Sequence, residues 1–586
     1  MCWRNASLVL IAVLMSPRLA IAAGERPNVI IVLTDDQGYG DLSCHGNPTL
    51  KTPNLDRLHG QSVRLTDFHV SPMCTPTRSQ LMTGRDALDN GGMNVSSGRT
   101  MIRRGIPTMA ELFAKGGYRT GLFGKWHLGD VYPYRPQDRG FHKALWFPSS
   151  HIPSAPDVWN NDYFDTTYRT ETGELWKLPG YCADVQFEQA MQWMEQTAAA
   201  KQPFFAYFAL NSAHWPWWVP DGYRERYRNL DKDLASFFAM VANIDHNMGR
   251  LEAMLQRTGL RDNTILIFMT DNGGTVGVKH FNAGMKAGKV TLWDGGHRVP
   301  MFIRWPAGNL GEPRDVDALT HVQDVLPTLI NLCSLEAPAN PKFDGVTLAP
   351  LLRGTQPSLP DRMLVVQFSR MSGAVPQRGD AAVLWKKWRL LVKNGELYDV
   401  ATDLAQERNV AKDHPDVVAA MRKHYDGWWA DVEPRVNVLS RLVIGSDAEP
   451  LTLLSPADWQ DLLLDQQMQV RTALARNSHW NLEVARDGEY TFELRRWPRE
   501  ADLPLRAGAP PLKGVDGELP PGKALAIAEA RLKVGDAEFR APVGANDKLV
   551  RISLPLTKGD VQAQTWFYDD AGKELCGAYY VYVERK

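Results

Sequence analysis

From residue 28 to about residue 350, apolar runs of strand length alternate with stretches of helical periodicity. This is the pattern of βαβ units around a largely parallel sheet, and it predicts an α/β fold. The runs "NVIIVLTDD", "TGLFGKWHLGD", "PFFAYFALNSAHWP" and "NTILIFMTDNGG" are apolar almost throughout, as expected of strands buried on both faces. Each delivers polar groups at its end: Asp35 and Asp36, Lys125 and His127, His214, then Asp271 and Asn272. Open α/β sheets bind ligands at the carboxyl ends of their strands, so these groups are predicted to share one site. After residue 350 the pattern changes. "MLVVQFSR", "AAVLWKKWRLLVKNGELYDV" and the helical "HPDVVAAMRKHYDGWWADV" predict a small antiparallel sheet with a helix. From about residue 435, "WNLEVARDGEYTFELRRW", "ARLKVGDAEFRAPV" and "QTWFYDDAGKELCGAYYVYVERK" alternate around Asp-Gly, Gly-Asp or Ala-Gly, which predicts hairpins in a β-sandwich-like module. "ADLPLRAGAPPLKGVDGELPPGK" is a Pro/Gly-rich loop within it.

The chain opens with Arg4, an apolar run from about Leu8 to Met15, and the small-residue pattern Ala20-Ile21-Ala22. Residues 1–22 therefore read as a signal peptide, and the protein as exported, periplasmic or extracellular. No later apolar stretch is long enough to predict a membrane span. The remaining divisions are an α/β catalytic domain over 23–350, a small antiparallel-sheet subdomain over 351–432 and an accessory β-module over 433–586. Lys and Arg number 66 against 67 Asp and Glu, a net charge of -1, so nothing in the balance points to a nucleic-acid partner. Cys2, Cys44, Cys74, Cys182, Cys333 and Cys576 leave one or two disulfides open.

One cysteine stands apart. In "SPMCTPTRSQLMTGR", Pro76 suits the first turn of a helix, which places Cys74 at a helix N-terminus where backbone N–H groups favour anions. The motif C-x-P-x-R is formed by Cys74, Pro76 and Arg78, and T-G-R follows at residues 83–85. Each candidate also has a structural reading: aspartates before glycine cap turns, "TDNGG" suits a turn, Lys125 suits a solvated surface, and single histidines pack in cores. Their common placement at strand ends favours a site.

These motifs, with "RPNVIIVLTDDQGYGD", "GLFGKWHLG", "NSAHWP" and "GKVTLWDGGHRVP", resemble the type I sulfatases of the alkaline phosphatase superfamily from about residue 26 to about residue 430. The resemblance implies an alkaline-phosphatase-like fold with a small C-terminal subdomain. It implies that a formylglycine-generating enzyme oxidises Cys74 to Cα-formylglycine, whose hydrate attacks sulfur and later expels sulfate as the aldehyde returns. It assigns Asp35, Asp36, Asp271 and Asn272, with residue 74, to one Ca²⁺ site, Mg²⁺ being the alternative among hard cations. By the same resemblance Arg78 steadies the nucleophile, Lys125 and Lys289 hold the sulfate, His127 is the base for eliminating sulfate, and His214, with Lys289, protonates the leaving alcohol. Asp294 stands where Glu is commoner and Ala213 where Pro is, neither being a ligand or an acid/base group.

The implied substrate is a sulfated small molecule or glycan. Trp215, Trp217 and Trp218 form either an aromatic wall for it or a packed cluster, and "FPSSHIPSAPDVWNNDYFDTTYRTETGELWKLPGYC" is a candidate specificity loop. Two alternatives stand beside a sulfatase: a phosphonate or phosphate ester hydrolase of the same superfamily, and an inactive carbohydrate-binding relative.

Overall fold

The computed structural model describes residues 26–338, 341–368 and 375–586. The signal-peptide reading of residues 1–22 lies outside them.

Five parallel strands form the middle of a ten-stranded sheet, in the order Thr264–Thr270, Asn28–Thr34, Phe204–Ala209, Arg119–Lys125, Lys143–Phe147. Along Asn28–Thr34, Val29, Ile31 and Leu33 enter one core while Ile30 and Val32 enter another, which is why the run is apolar without alternation. Helices Cys182–Ala199 and Lys232–Arg257 cover one face, and Met109–Lys115 and Val325–Leu332 the other. Hydrogen bonding continues past the strand ends, with the Asp271 amide donating to Thr34 O and the Asp35 amide to Ser212 O. The polar residues that follow the strands are thereby held in register.

Leu364–Gln367, Ala381–Trp385, Trp388–Leu391 and Glu396–Asp399 form a four-stranded antiparallel sheet, packed with helix Pro415–Val432 around a small core. Buried Arg389 on this sheet reaches Asp294 at 3.1 Å and Asp67 at 2.7 Å. Asp294, unusual by comparison with the resembling pattern, thus ties the two parts together.

The C-terminal region contains a six-stranded and a four-stranded sheet around a shared core. Glu529–Val534 and Ala537–Pro542 form the hairpin expected at Gly535-Asp536. The Asp487-Gly488 step differs from expectation: Trp480–Val484 pairs with Gly559–Tyr568 in one sheet, whereas Gly488–Arg495 joins the other. Asp-Gly chemistry suits a sheet-to-sheet corner as well as a hairpin. This core is continuous with Tyr134, Ala155 and Trp159 of the α/β region. The Pro/Gly-rich loop carries a short hairpin, Leu512–Lys513 with Glu518–Leu519, whose Gly517 lies against the Trp218 indole, where a Cβ would come within 1.9 Å of Nε1. Among the described residues all five cysteines are free thiols, and no helix is long and apolar enough to cross a membrane.

Candidate active site

The structure brings together all ten residues singled out in the sequence. Cys74 opens helix Cys74–Thr83, which is buried along its whole length and ends at Gly84 in the left-handed region, φ 65°. The amide of Gly84 donates to Gln80 O, closing the helix. One turn along, Arg78 donates from Nε and Nη2 to Asp271 Oδ2 at 3.0 and 2.8 Å, and from Nη2 to Asp35 Oδ2 at 3.4 Å. Lys125 Nζ donates to Asp35 Oδ2 at 2.6 Å, Lys289 Nζ to Asp36 Oδ1, and Asn272 Nδ2 to the same Asp36 oxygen at 3.0 Å. Three carboxylates therefore face three cations.

Two hard oxygens are left over. Asp35 Oδ1 and Asn272 Oδ1 are buried and have no hydrogen-bond partner among the described residues. An unpaired buried acceptor is costly, and acceptors beside three carboxylates form the donor set of a hard divalent cation. Ligand atoms of Asp35, Asp36 and His214 lie within 4.8 Å of one another. "TDNGG" is also a close-packed turn: a Cβ on Gly273 would lie 1.9 Å from Gly295 O.

Burial raises the Asp35 carboxyl to about 7, and the neighbouring Asp271 adds to the rise. Burial opposes ionisation of Asp36 too, but Lys289 and His214 outweigh it and hold that carboxyl below the usual range. The thiol of Cys74 is pushed up by burial, against the pull of Lys125 and Lys289.

The two histidines are set by their carbonyl partners. His127 Nε2 lies 2.7 Å from Val95 O; a carbonyl only accepts, so Nε2 carries the proton. Its Nδ1 is buried and unpartnered among the described residues, which leaves a bare lone pair on the neutral ring. Burial and Lys125 hold His127 well below its ordinary value. His214 donates Nδ1–H to Trp215 O and turns Nε2 toward Asp36 Oδ2 at 3.9 Å. Its pKa is lowered to about 4 by burial, against Asp36.

Cys74, His214 and Lys289 line a cavity of about 400 Å³. Trp217 and Trp218 do not form its wall, and Trp215 does not line it but packs against the lining His151 with ring centroids 6.1 Å apart. Trp218 is buried against Tyr163, and Trp217 packs on the same core, because the C-terminal hairpin covers this segment. The wall instead contains Ser150 and His151, within the loop flagged in the sequence, and Leu463, Asp465 and Gln466, which sequence reading missed. His151 stacks on His214 with ring centroids 5.0 Å apart.

The Sulfatase family profile matches residues 27–335, more than half of the chain. The chain belongs to the sulfatase family. This sulfatase is 34% identical to human arylsulfatase A over 369 residues, covering 58% of this chain and 70% of that protein. It is 28% identical to mouse N-acetylgalactosamine-6-sulfatase over 428 residues, covering 67% and 78%. The crystal structure of Ps i-CgsB with k-i-k-neocarrahexaose superposes with a TM-score of 0.63 at 26% identity, covering 69% of this sulfatase and 92% of that chain. The phosphonate monoester hydrolase of Agrobacterium radiobacter shares the fold, with a TM-score of 0.50 at 22% identity, covering 70% of this chain and 96% of that one. The protein is a sulfate ester hydrolase. Its family profile ends before both the four-stranded sheet and the C-terminal β-rich region.

Proposed function

We propose that this sulfatase removes sulfate from a sulfated carbohydrate, using a nucleophile made from Cys74 and one hard divalent cation, Ca²⁺ by family resemblance. The carrying observation is that Cys74, His214 and Lys289 line one cavity while Arg78 and Lys125, ion-paired to Asp271 and Asp35, and the unpaired oxygens of Asp35 and Asn272 are buried in the same cluster. The carbohydrate rests on the relatives: one is named for N-acetylgalactosamine 6-sulfate, and another was crystallised with an oligosaccharide. In this reading residues 1–22 direct export, 23–350 carry the chemistry, and 351–432 and 433–586 pack around it. A formylglycine-generating enzyme acts on Cys74 during maturation.

Asp35, Asp36, Asp271 and Asn272 would hold the cation, which when bound supplies positive charge to the nucleophile and a sulfate oxygen. The formylglycine hydrate at residue 74 supplies one hydroxyl for attack on sulfur and a second whose deprotonation releases sulfate. Arg78 is buried and held by Asp271, so its charge costs no reorganisation as negative charge develops. Lys125 and Lys289 grip the sulfate. The bare Nδ1 of His127 accepts the proton of the second hydroxyl, and His214, with Lys289, protonates the leaving alcohol. Because Nδ1–H is held by Trp215 O, His214 delivers its proton from Nε2 only as the imidazolium, which the bound sulfate must favour. Water enters, and alcohol and sulfate leave.

The test is the mass of the tryptic peptide "LTDFHVSPMCTPTR" after co-expression with a formylglycine-generating enzyme, with turnover of an aryl sulfate and an aryl phosphonate. Aldehyde at residue 74 and preferred sulfate turnover are expected. An unmodified thiol, when a control sulfatase is modified in the same cells, overturns the mechanism. Phosphonate preference overturns the choice of ester.

A further inference from the structure

Part of the wall of the cavity that Lys289 lines comes from a part of the chain remote in sequence. The segment at residues 463–466 lies between strands of the C-terminal β-rich region, yet Leu463, Asp465 and Gln466 line the same cavity as Cys74. It is firmly placed. Ala155 N donates to Asp465 O at 2.7 Å, Gln466 bridges Ser154, and Gln467 Nε2 donates to Ser154 O and Val158 O at 3.1 and 3.0 Å. Gln469 Oε1 accepts the amides of Asp465 and Gln466 at 3.0 and 3.1 Å. From this frame the Asp465 carboxylate accepts from Ser150 Oγ at 2.9 Å, Ser150 Oγ lies 2.8 Å from His151 Nδ1, and His151 stacks on His214. The side chain thus lines the same cavity as Lys289 and connects through Ser150 and His151 to the proposed acid, His214.

A carboxylate there suits neither sulfate nor any second anion on the substrate. It accepts hydrogen bonds and repels negative charge, whereas the Gln466 side chain both donates and accepts. We propose that Asp465 and Gln466 form a subsite for the alcohol part of the substrate, in which Asp465 accepts a hydroxyl or amide N–H of the sugar ring next to the ester. The inference rests on the sulfatase reading above and deepens it. The subsite selects rings with a neutral donor beside the sulfate and discriminates against rings with a second sulfate there. A plain aryl sulfate, having no such donor, gains nothing from it. A site that hydrogen-bonds a substrate group rejects analogues lacking it, because its own polar groups are then left unpaired.

The experiment uses the full, mature enzyme with 4-methylumbelliferyl sulfate and a panel of mono- and disulfated hexoses and N-acetylhexosamines. Each is assayed with wild type, Asp465→Asn and Gln466→Ala. For Asp465→Asn, kcat/KM on the preferred monosulfated sugar, taken relative to the aryl sulfate, should fall at least ~10-fold, mainly through KM. Turnover of disulfated relative to monosulfated sugar should rise, a gain that structural damage does not produce. Gln466→Ala should lower the sugar-to-aryl ratio without that gain. Unchanged ratios, or a wild type that cleaves the aryl sulfate and no sugar sulfate, overturn the subsite. A wild type that carries the aldehyde and releases sulfate from nothing overturns the reading on which it rests.

Discussion

Arg78→Met tests the charge balance of the site directly. Arg78 is buried and makes three donor contacts with Asp271 and Asp35. Methionine fills much of the same space and supplies no donor, leaving Asp35, Asp36 and Asp271 opposed by Lys125 and Lys289 alone. Removing one partner of a buried ion pair costs about 3–5 kcal/mol, because the other charge stays buried and uncompensated. In a chain of 586 residues the large unfolding entropy makes this about 1 °C per kcal/mol, so the melting midpoint in chelator should drop by roughly 3–5 °C. A divalent cation binds only the folded site and now meets one unbalanced negative charge. Millimolar Ca²⁺ should therefore recover more stability in the variant than it adds to wild type. Arg78→Lys should fall between, since a lysine keeps the charge but not the fork that spans two carboxylates. Activity on an aryl sulfate should fall by ~10²–10³-fold in Arg78→Met even with Ca²⁺, through loss of a preorganised cation. Differential scanning fluorimetry with and without chelator reads the stability arm. A midpoint within about 2 °C of wild type in chelator, a threshold below the smallest drop expected, or equal Ca²⁺ gains in both proteins, would refute the reasoning.

Three further outcomes are expected. Exhaustive chelation should abolish aryl sulfate turnover and Ca²⁺ should restore it, whereas Asp36→Asn should fail to recover; calorimetric Ca²⁺ titration of both proteins checks this. Cys74→Ala should remove turnover by ~10⁴-fold or more, with circular dichroism unchanged, because the side chain lost is small and is replaced by no polar group. At the junction of the α/β and β-rich regions, burial raises Asp458 to about 8 and Asp130 to about 6, and the Asp130 charge adds to the rise at Asp458. The folded chain thus keeps protons that the unfolded chain releases near 3.8, so this contribution is complete below about 3.8 and is lost progressively as pH rises to about 6 for Asp130 and about 8 for Asp458. Asp458→Asn should raise the melting midpoint by a few degrees at pH 8.5 and by much less at pH 5, and equal shifts at the two would count against the pair.

The catalytic half of the fold was legible because its central strands are buried on both faces and each ends on chemistry. "NVIIVLTDD" carries strand, burial and Asp35–Asp36 in nine letters, and a parallel sheet has one edge where such endings meet. Lys289 was reached only through family resemblance, since it sits on a loop with no periodic context. The Asp487-Gly488 corner was misread for the opposite reason: alternation identifies both flanking strands, but turn residues do not say whether the chain folds back within a sheet or crosses to its partner.

The tryptophans and Asp465 both depend on packing that no local stretch of sequence specifies. "HWPWWVP" adjoins His214 in sequence, which leaves an aromatic wall and a packed cluster both open; a hairpin about 300 residues later, whose Gly517 lies against Trp218, decides for packing at that residue. The same long-range docking brings Asp465 beside Ser150, a separation of 315 residues. Nothing local distinguishes Asp465 from an ordinary loop aspartate. Groups that follow strands are assembled by the sheet and can be read from one segment at a time. The groups proposed to meet the substrate's alcohol are brought together by packing between distant parts of the chain. In the proposed reading the sulfate is held by groups within the family profile, whereas the substrate's alcohol is met both by Ser150 and His151 inside it and by Asp465 and Gln466, which follow its end at residue 335.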